Sequence, residues 1–355
     1  MYRASIIPFV LISLLTAVFG GWLRMGWSLP LQSAAGHHGA VMIGSFLTTV
    51  IILERVAAYN SRLLFIIPLV NASSAIFFLL NMPLAAQALL IAGSLGLLGI
   101  VLSLYLKHKE LYQFIFIISA ASLLAGNIVL MQTQSYPAAI SFWISYLLLL
   151  ITAERLELTR FLNISKQKIN YLILFLGVSF IGVFLPFHWY GNIIMAAGIS
   201  LTALWLLRFD MALKSVKKTG QHKYSAVLLL VGYVWLFFTG VFMMLGNVNA
   251  YWYDAVTHSF FIGFVFSMIF SHAPIILPGV LKLPIKIYRP FLYYWFLLLQ
   301  LSLLLRLVAD VLASPGLRMW GGMFNGLTIL GFLISVAVVA IGERGRYLAK
   351  LRKSW

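Results

Sequence analysis

Seven histidines occur in this 355-residue chain, and four of them stand at or within long apolar stretches, where an ionisable side chain is costly and therefore a candidate for function. They are His37, His38, His258 and His272. His38 lies sixteen residues before Glu54, and His258 sixteen before Pro274, so the two should sit at similar depth in their respective helices. Two imidazoles facing each other across a helical bundle suit a bis-histidine b-type haem, whose axial ligands approach the iron from opposite faces. His37 is about 100° round the helix from His38 and cannot face the same partner, so the ligand is one or the other. Asp254, one turn before His258, is placed either to orient that ring or to cap a helix. Arg306 and Asp310 share a helical face at i and i+4. A forked guanidinium there would suit haem propionates, although Arg306 and Asp310 could equally neutralise each other. His272 is fourteen residues beyond His258, about 21 Å along the same helix, and is expected to be a hydrogen-bonded structural residue near Pro274. His108 and His222 fall among lysines in loops, and His188 in an aromatic-rich interfacial loop.

The elements that must hold these residues follow from composition. With 62% hydrophobic and only 9% charged residues, the chain has too little polar surface to cover a soluble globule. It reads as an all-α polytopic membrane protein, a single transmembrane domain over 1–355, with spans at Ile6–Trp22, His38–Leu53, Leu63–Leu80, Ala85–Leu106, Leu111–Met131, Ala138–Ala153, Ile169–Leu185, Asn192–Leu207, Ser225–Leu245, Ala255–Ile276, Phe291–Leu312 and Met319–Ile341. Twelve crossings put Arg3, Arg55, Arg62, Lys107, Lys109, Arg155 through Lys168, Arg208 through Lys223, Lys282 through Arg289 and Arg344 through Lys353 on one side. Only Arg24 and Arg318 fall in loops on the other side, so the basic side and both ends are expected to be cytoplasmic, in a cell inner membrane. The first span is expected to be a retained helix. A net charge of +17 scattered over such loops points to topology and anionic lipid, not to nucleic acid. Zero cysteine excludes disulfides, iron–sulfur clusters and covalently attached haem, and no hydrolase or nucleotide-loop signature is present.

Span two ends in Leu53-Glu54-Arg55 and span six in Ala153-Glu154-Arg155, one hundred residues on, while span ten carries Ser271-His272-Ala273-Pro274 at the corresponding end. A relation between spans two, six and ten suggests three pseudo-symmetric arcs of four helices. Twelve spans in such arcs, with Ala35-Gly36-His37-His38-Gly39-Ala40-Val41-Met42 on the second and Thr257-His258-Ser259-Phe260-Phe261-Ile262-Gly263-Phe264 on the tenth, resemble the catalytic subunit of haem-copper oxidases and nitric oxide reductases and the related NnrS family. The resemblance implies that His38, or His37, and His258 are the axial pair of a low-spin haem. It also implies what is missing. No histidine occurs in Ala138–Leu185, where such oxidases hold copper, and Val256 and Phe260 flank His258 where a high-spin haem ligand would stand.

The expectation is therefore a b-type haem protein serving electron transfer or nitric-oxide and metal stress physiology, with a membrane or periplasmic redox partner and no binuclear oxygen-reducing centre. Whether it is an enzyme stays open. The competing expectation is a transporter or channel whose His37, His38, His258 and Asp254 bind zinc, copper or a substrate. A scaffold with purely structural polar groups is the third.

Overall fold

The computed structural model describes residues 4–30, 32–57, 59, 61–185, 192–246, 249–281 and 284–353; Arg3, His188 and Lys282 lie outside the described residues. No strand occurs among the described residues. Eleven helices there are long and apolar enough to cross a membrane. They are α1 (Ile7–Arg24), α2 (Ala40–Ala57), α4 (Pro83–His108), α5 (Leu111–Thr133), α6 (Tyr136–Thr159), α7 (Lys166–Phe184), α8 (Asn192–Phe209), α9 (Gly220–Leu245), α10 (Trp252–Val280), α11 (Leu292–Val311) and α12, which runs from Pro315 past its apolar part to Lys353. The third expected span is the shorter apolar helix α3 (Leu63–Leu79). The chain is thus an all-α polytopic membrane protein.

Helix ends follow local chemistry. Pro83 and Pro315 open α4 and α12, where a missing N–H is harmless. Lys109, Gln134 and Ala313 adopt left-handed φ values of 53°, 53° and 50° and reverse the chain between α4 and α5, α5 and α6, and α11 and α12. The helices overrun the expected spans at their polar ends because backbone hydrogen bonding continues past the apolar stretch. Arg318, expected in a loop, is instead in the first turns of α12, three residues after its initiating proline.

Close packing divides the chain into two compact units, Met1–Leu158 and Thr159–Trp355. The first holds α1–α6, the second α7–α12. Burial follows a different rhythm. The three most buried helices are α2, α6 and α10, with 72%, 78% and 67% of their apolar windows inside the protein against 56% for the next, α8. These are the three helices, four apart, that the sequence relates to one another.

Two of them also share a backbone irregularity. The stretch Ala40–Thr48 of α2 and Ser259–Phe266 of α10 are π-helical, a wide winding that is rare at this length and frequent at functional sites. A π-turn releases backbone carbonyls from the ordinary ladder, and side chains take them up. In α2, Thr48 donates to the Ile43 carbonyl at 2.8 Å, Asn71 of α3 to the Gly44 carbonyl at 2.7 Å, and Thr49 to the Ser45 carbonyl at 2.6 Å. In α10, Ser267 donates to the Gly263 carbonyl at 2.6 Å.

Candidate functional site

Each π-helical segment begins just after a candidate histidine. In the first unit the chain leaves α1, forms a 3₁₀ segment over Gln32–His37 and enters α2 at His38 and Gly39. The His38 imidazole reaches back to α1, where its Nδ1 lies 2.7 Å from the carbonyl oxygen of Ala17. A carbonyl only accepts, so Nδ1 carries the proton and in the neutral ring Nε2 keeps its lone pair. Gly21, one turn further along α1, makes this approach feasible: a Cβ there would stand 2.9 Å from His38 Cε1.

His37 takes a different role. Its Nδ1 pairs with the Tyr136 hydroxyl at 3.0 Å, and its ring packs on Phe78 with centroids 4.8 Å apart. Burial pushes this imidazole below its ordinary range.

In the second unit, His258 ends the first α-helical turns of α10. Its Nδ1 is 3.0 Å from the backbone carbonyl of Asp254 and 3.3 Å from the Asp254 carboxylate, and the Thr257 hydroxyl lies 3.2 Å away. Acceptors again surround Nδ1, so the neutral ring presents Nε2 as a lone pair.

Asp254 is the hub of an ion network drawn from three helices. Arg306 of α11 donates to it through Nε and Nη2, both at 2.8 Å, a bidentate fork. Arg318 of α12 donates to the same carboxylate at 2.9 Å and stands 3.2 Å, through its Nε, from Asp310. Asp310 is 1% exposed. The Arg318 guanidinium also covers the Tyr251 ring at 4.7 Å. Asn249 anchors the loop before α10 by donating to the Asp310 backbone carbonyl at 2.8 Å. Two carboxylates and two guanidiniums balance in formal charge, and their mutual pairing is what makes them tolerable away from water.

The expected site residues are thus partly joined. His258, Asp254, Arg306 and Asp310 come together. The neutralising pair expected of Arg306 and Asp310 is replaced by Arg306 with Asp254 and Asp310 with Arg318. Arg318 escaped the sequence reading as a site residue, though Pro315 marked the start of the helix that carries it, half-buried, to Asp254. His272 Nδ1 bonds the Met268 carbonyl at 2.9 Å, one turn back. The two Glu-Arg motifs of α2 and α6 meet directly, Arg55 donating to Glu154 and covering the Phe116 ring at 4.3 Å. Among the described residues, no group of three or more His, Cys, Asp or Glu side chains is arranged to hold a metal ion.

The fold and these sites define a polytopic helical membrane protein with carbonyl-oriented histidines on two of its most buried helices. The chain belongs to the family DUF8744, a domain of unknown function, matched over residues 3–341. No curated protein matches it.

Proposed function

We propose that this chain is a b-type haem protein of the inner membrane, akin in architecture to NnrS and the haem-copper oxidases, with His38 and His258 as the residues that would hold the haem. The observation that carries the reading is the same local bonding of each ring within its own unit. In each, Nδ1 is committed to a backbone carbonyl, the outer partner that fixes tautomer and direction in metal-bound histidines. That each ring opens a π-helical segment adds to it. The donor set fits the group: a haem asks for two imidazole nitrogens, whereas a closed zinc or copper site asks for three or four ligands gathered together.

When bound, a haem supplies one-electron chemistry. The protein's residues do the rest. Asp254 holds the His258 ring through its carbonyl, and Arg306 and Arg318 hold Asp254 in turn, so the network fixes ring orientation. His37, committed to Tyr136, is not the ligand in this reading. The basic loops face the cytoplasm, and electrons come from or go to a membrane or periplasmic partner.

The test is the absorbance spectrum of detergent-purified protein from haem-replete cells, oxidised and dithionite-reduced. A Soret band with a sharp reduced α-band is expected, lost in both His38→Ala and His258→Ala and retained in His37→Ala. Absence of any Soret band in the folded wild type ends the proposal.

A further inference from the structure

Helices α11 and α12 run side by side and touch closely at two places. A Cβ on Gly321 would fall 2.9 Å from the Cα of Arg306, and one on Gly331 would fall 2.2 Å from Cη2 of Trp295. Between these contacts lies a groove of about 530 Å³, with Trp295 and Phe324 among its walls and Ser302 and Thr328 among its lining. Its rim is apolar and outward-facing, with Leu298, Leu301 and Leu327 each about half exposed, at 47%, 52% and 48%. In a membrane protein such a rim faces hydrocarbon.

The floor is what an acyl chain would not need. Ser302 and Asn325 are hydrogen-bonded to each other at 2.7 Å. Thr328 is only 5% exposed, lines the groove, and its hydroxyl has no hydrogen-bond partner among the described residues. A buried hydroxyl in a lipid-facing cleft is costly unless an acceptor or donor reaches it. The Trp295 indole is pinned by its N–H to Ser335 at 2.9 Å, which fixes the ring as a wall. Aromatic walls, one waiting hydroxyl and a volume within the usual range for small-molecule sites describe a pocket for a flat ring bearing a carbonyl, delivered from the bilayer.

We infer that the groove between α11 and α12 binds the head group of a lipid-soluble quinone, with Thr328 donating to a ring oxygen and the isoprenoid tail lying along the exposed leucines. Ser302 is one helical turn from Arg306, so the ring sits beside the ion network that holds His258. Binding itself does not depend on a haem.

The experiment is a titration of full-length protein, in nanodiscs free of quinone, with decylubiquinone, read as quenching of the Trp295 fluorescence obtained by difference from Trp295→Phe. Saturable quenching is expected. Thr328→Val should weaken it about tenfold, the size of one hydrogen bond of about 1.4 kcal/mol, and Thr328→Phe, which fills the groove, should abolish it. Wild-type protein purified with and without haem should bind quinone equally, which separates this site from the fate of the haem reading. Non-saturating quenching, an affinity indifferent to Thr328→Val, or equal displacement by a saturated fatty alcohol would make the groove a lipid seat and overturn the inference.

Discussion

Asp254 gathers two guanidiniums and a histidine around one carboxylate, and its removal would leave the buried Arg306 without its bidentate partner and the half-buried Arg318 without one of its two carboxylates. Breaking a buried pair from one side costs about 3–5 kcal/mol, because the remaining charge stays desolvated. Asp254→Asn and Arg306→Met should therefore each lower the melting temperature in detergent markedly, and the double variant should lose clearly less than their sum. Strict additivity would show that the fork contributes nothing. His37 makes a gentler prediction. Its folded-state pKa lies below the ordinary 6.5 because burial disfavours the cation. Its stabilisation is therefore full above about pH 6.5 and is lost as pH falls through the lowered folded-state value. Between pH 7.5 and 5 the wild type should lose melting temperature that His37→Gln does not, and identical slopes would refute the assignment. At this scale the sequence announced the histidines, Asp254, Arg306 and Asp310 through their cost in apolar surroundings. It was silent on the pairing, because Asp254 and Arg306 are 52 residues apart, and on the Ala17 carbonyl, because a backbone acceptor carries no residue type.

The helices themselves were largely legible, since hydropathy and the hydrocarbon thickness leave few ways to divide such a chain. The interior winding of α2 and α10 was not. A π-helix depends on where the released carbonyls find donors, and the key donor for α2 is on another helix: Asn71 of α3 bonds the Gly44 carbonyl and, at 2.9 Å, the Thr49 hydroxyl. Gly93 of α4 leaves Asn71 its room, since a Cβ there would come within 2.1 Å of its Oδ1. Asn71→Leu keeps the bulk and strands the Gly44 carbonyl, so it should cost about 1–3 kcal/mol. Asn127→Leu, at a residue as buried and bonded to Ser94 and Trp143, should cost a similar amount in thermal unfolding while leaving the winding of α2 intact. Amide hydrogen exchange across 40–49 distinguishes the two: faster exchange is expected only in the Asn71 variant, and unchanged protection there would show that the π-segment is held by α2's own hydroxyls. The Glu-Arg motifs of α2 and α6 meet, Arg55 with Glu154, and both helices are among the most buried.

At the scale of the whole molecule, the expected topology rests on the basic residues, and α3 decides whether their distribution is coherent. At seventeen residues it spans about 26 Å, a little under the hydrocarbon core. If α3 crosses, the loop after α1 and the loop after α5 lie on the same face, and the lysine-rich loop after α8 lies on the opposite one. If α3 stays on one side, the first two loops part company. The absence of cysteine makes this directly testable. Single-cysteine variants Ser28→Cys, Thr133→Cys and Lys217→Cys place one thiol in each of these exposed positions. With a membrane-impermeant maleimide on intact spheroplasts, Ser28→Cys and Thr133→Cys should label at once and Lys217→Cys only after permeabilisation, in keeping with the retention of lysine and arginine in the cytoplasm. Opposite behaviour of Ser28→Cys and Thr133→Cys would remove α3 from the crossing helices. It would also put His38 and His258 at different membrane faces, since an odd number of crossings would then separate their ends of α2 and α10, and a single haem between them would be ruled out without a spectrum.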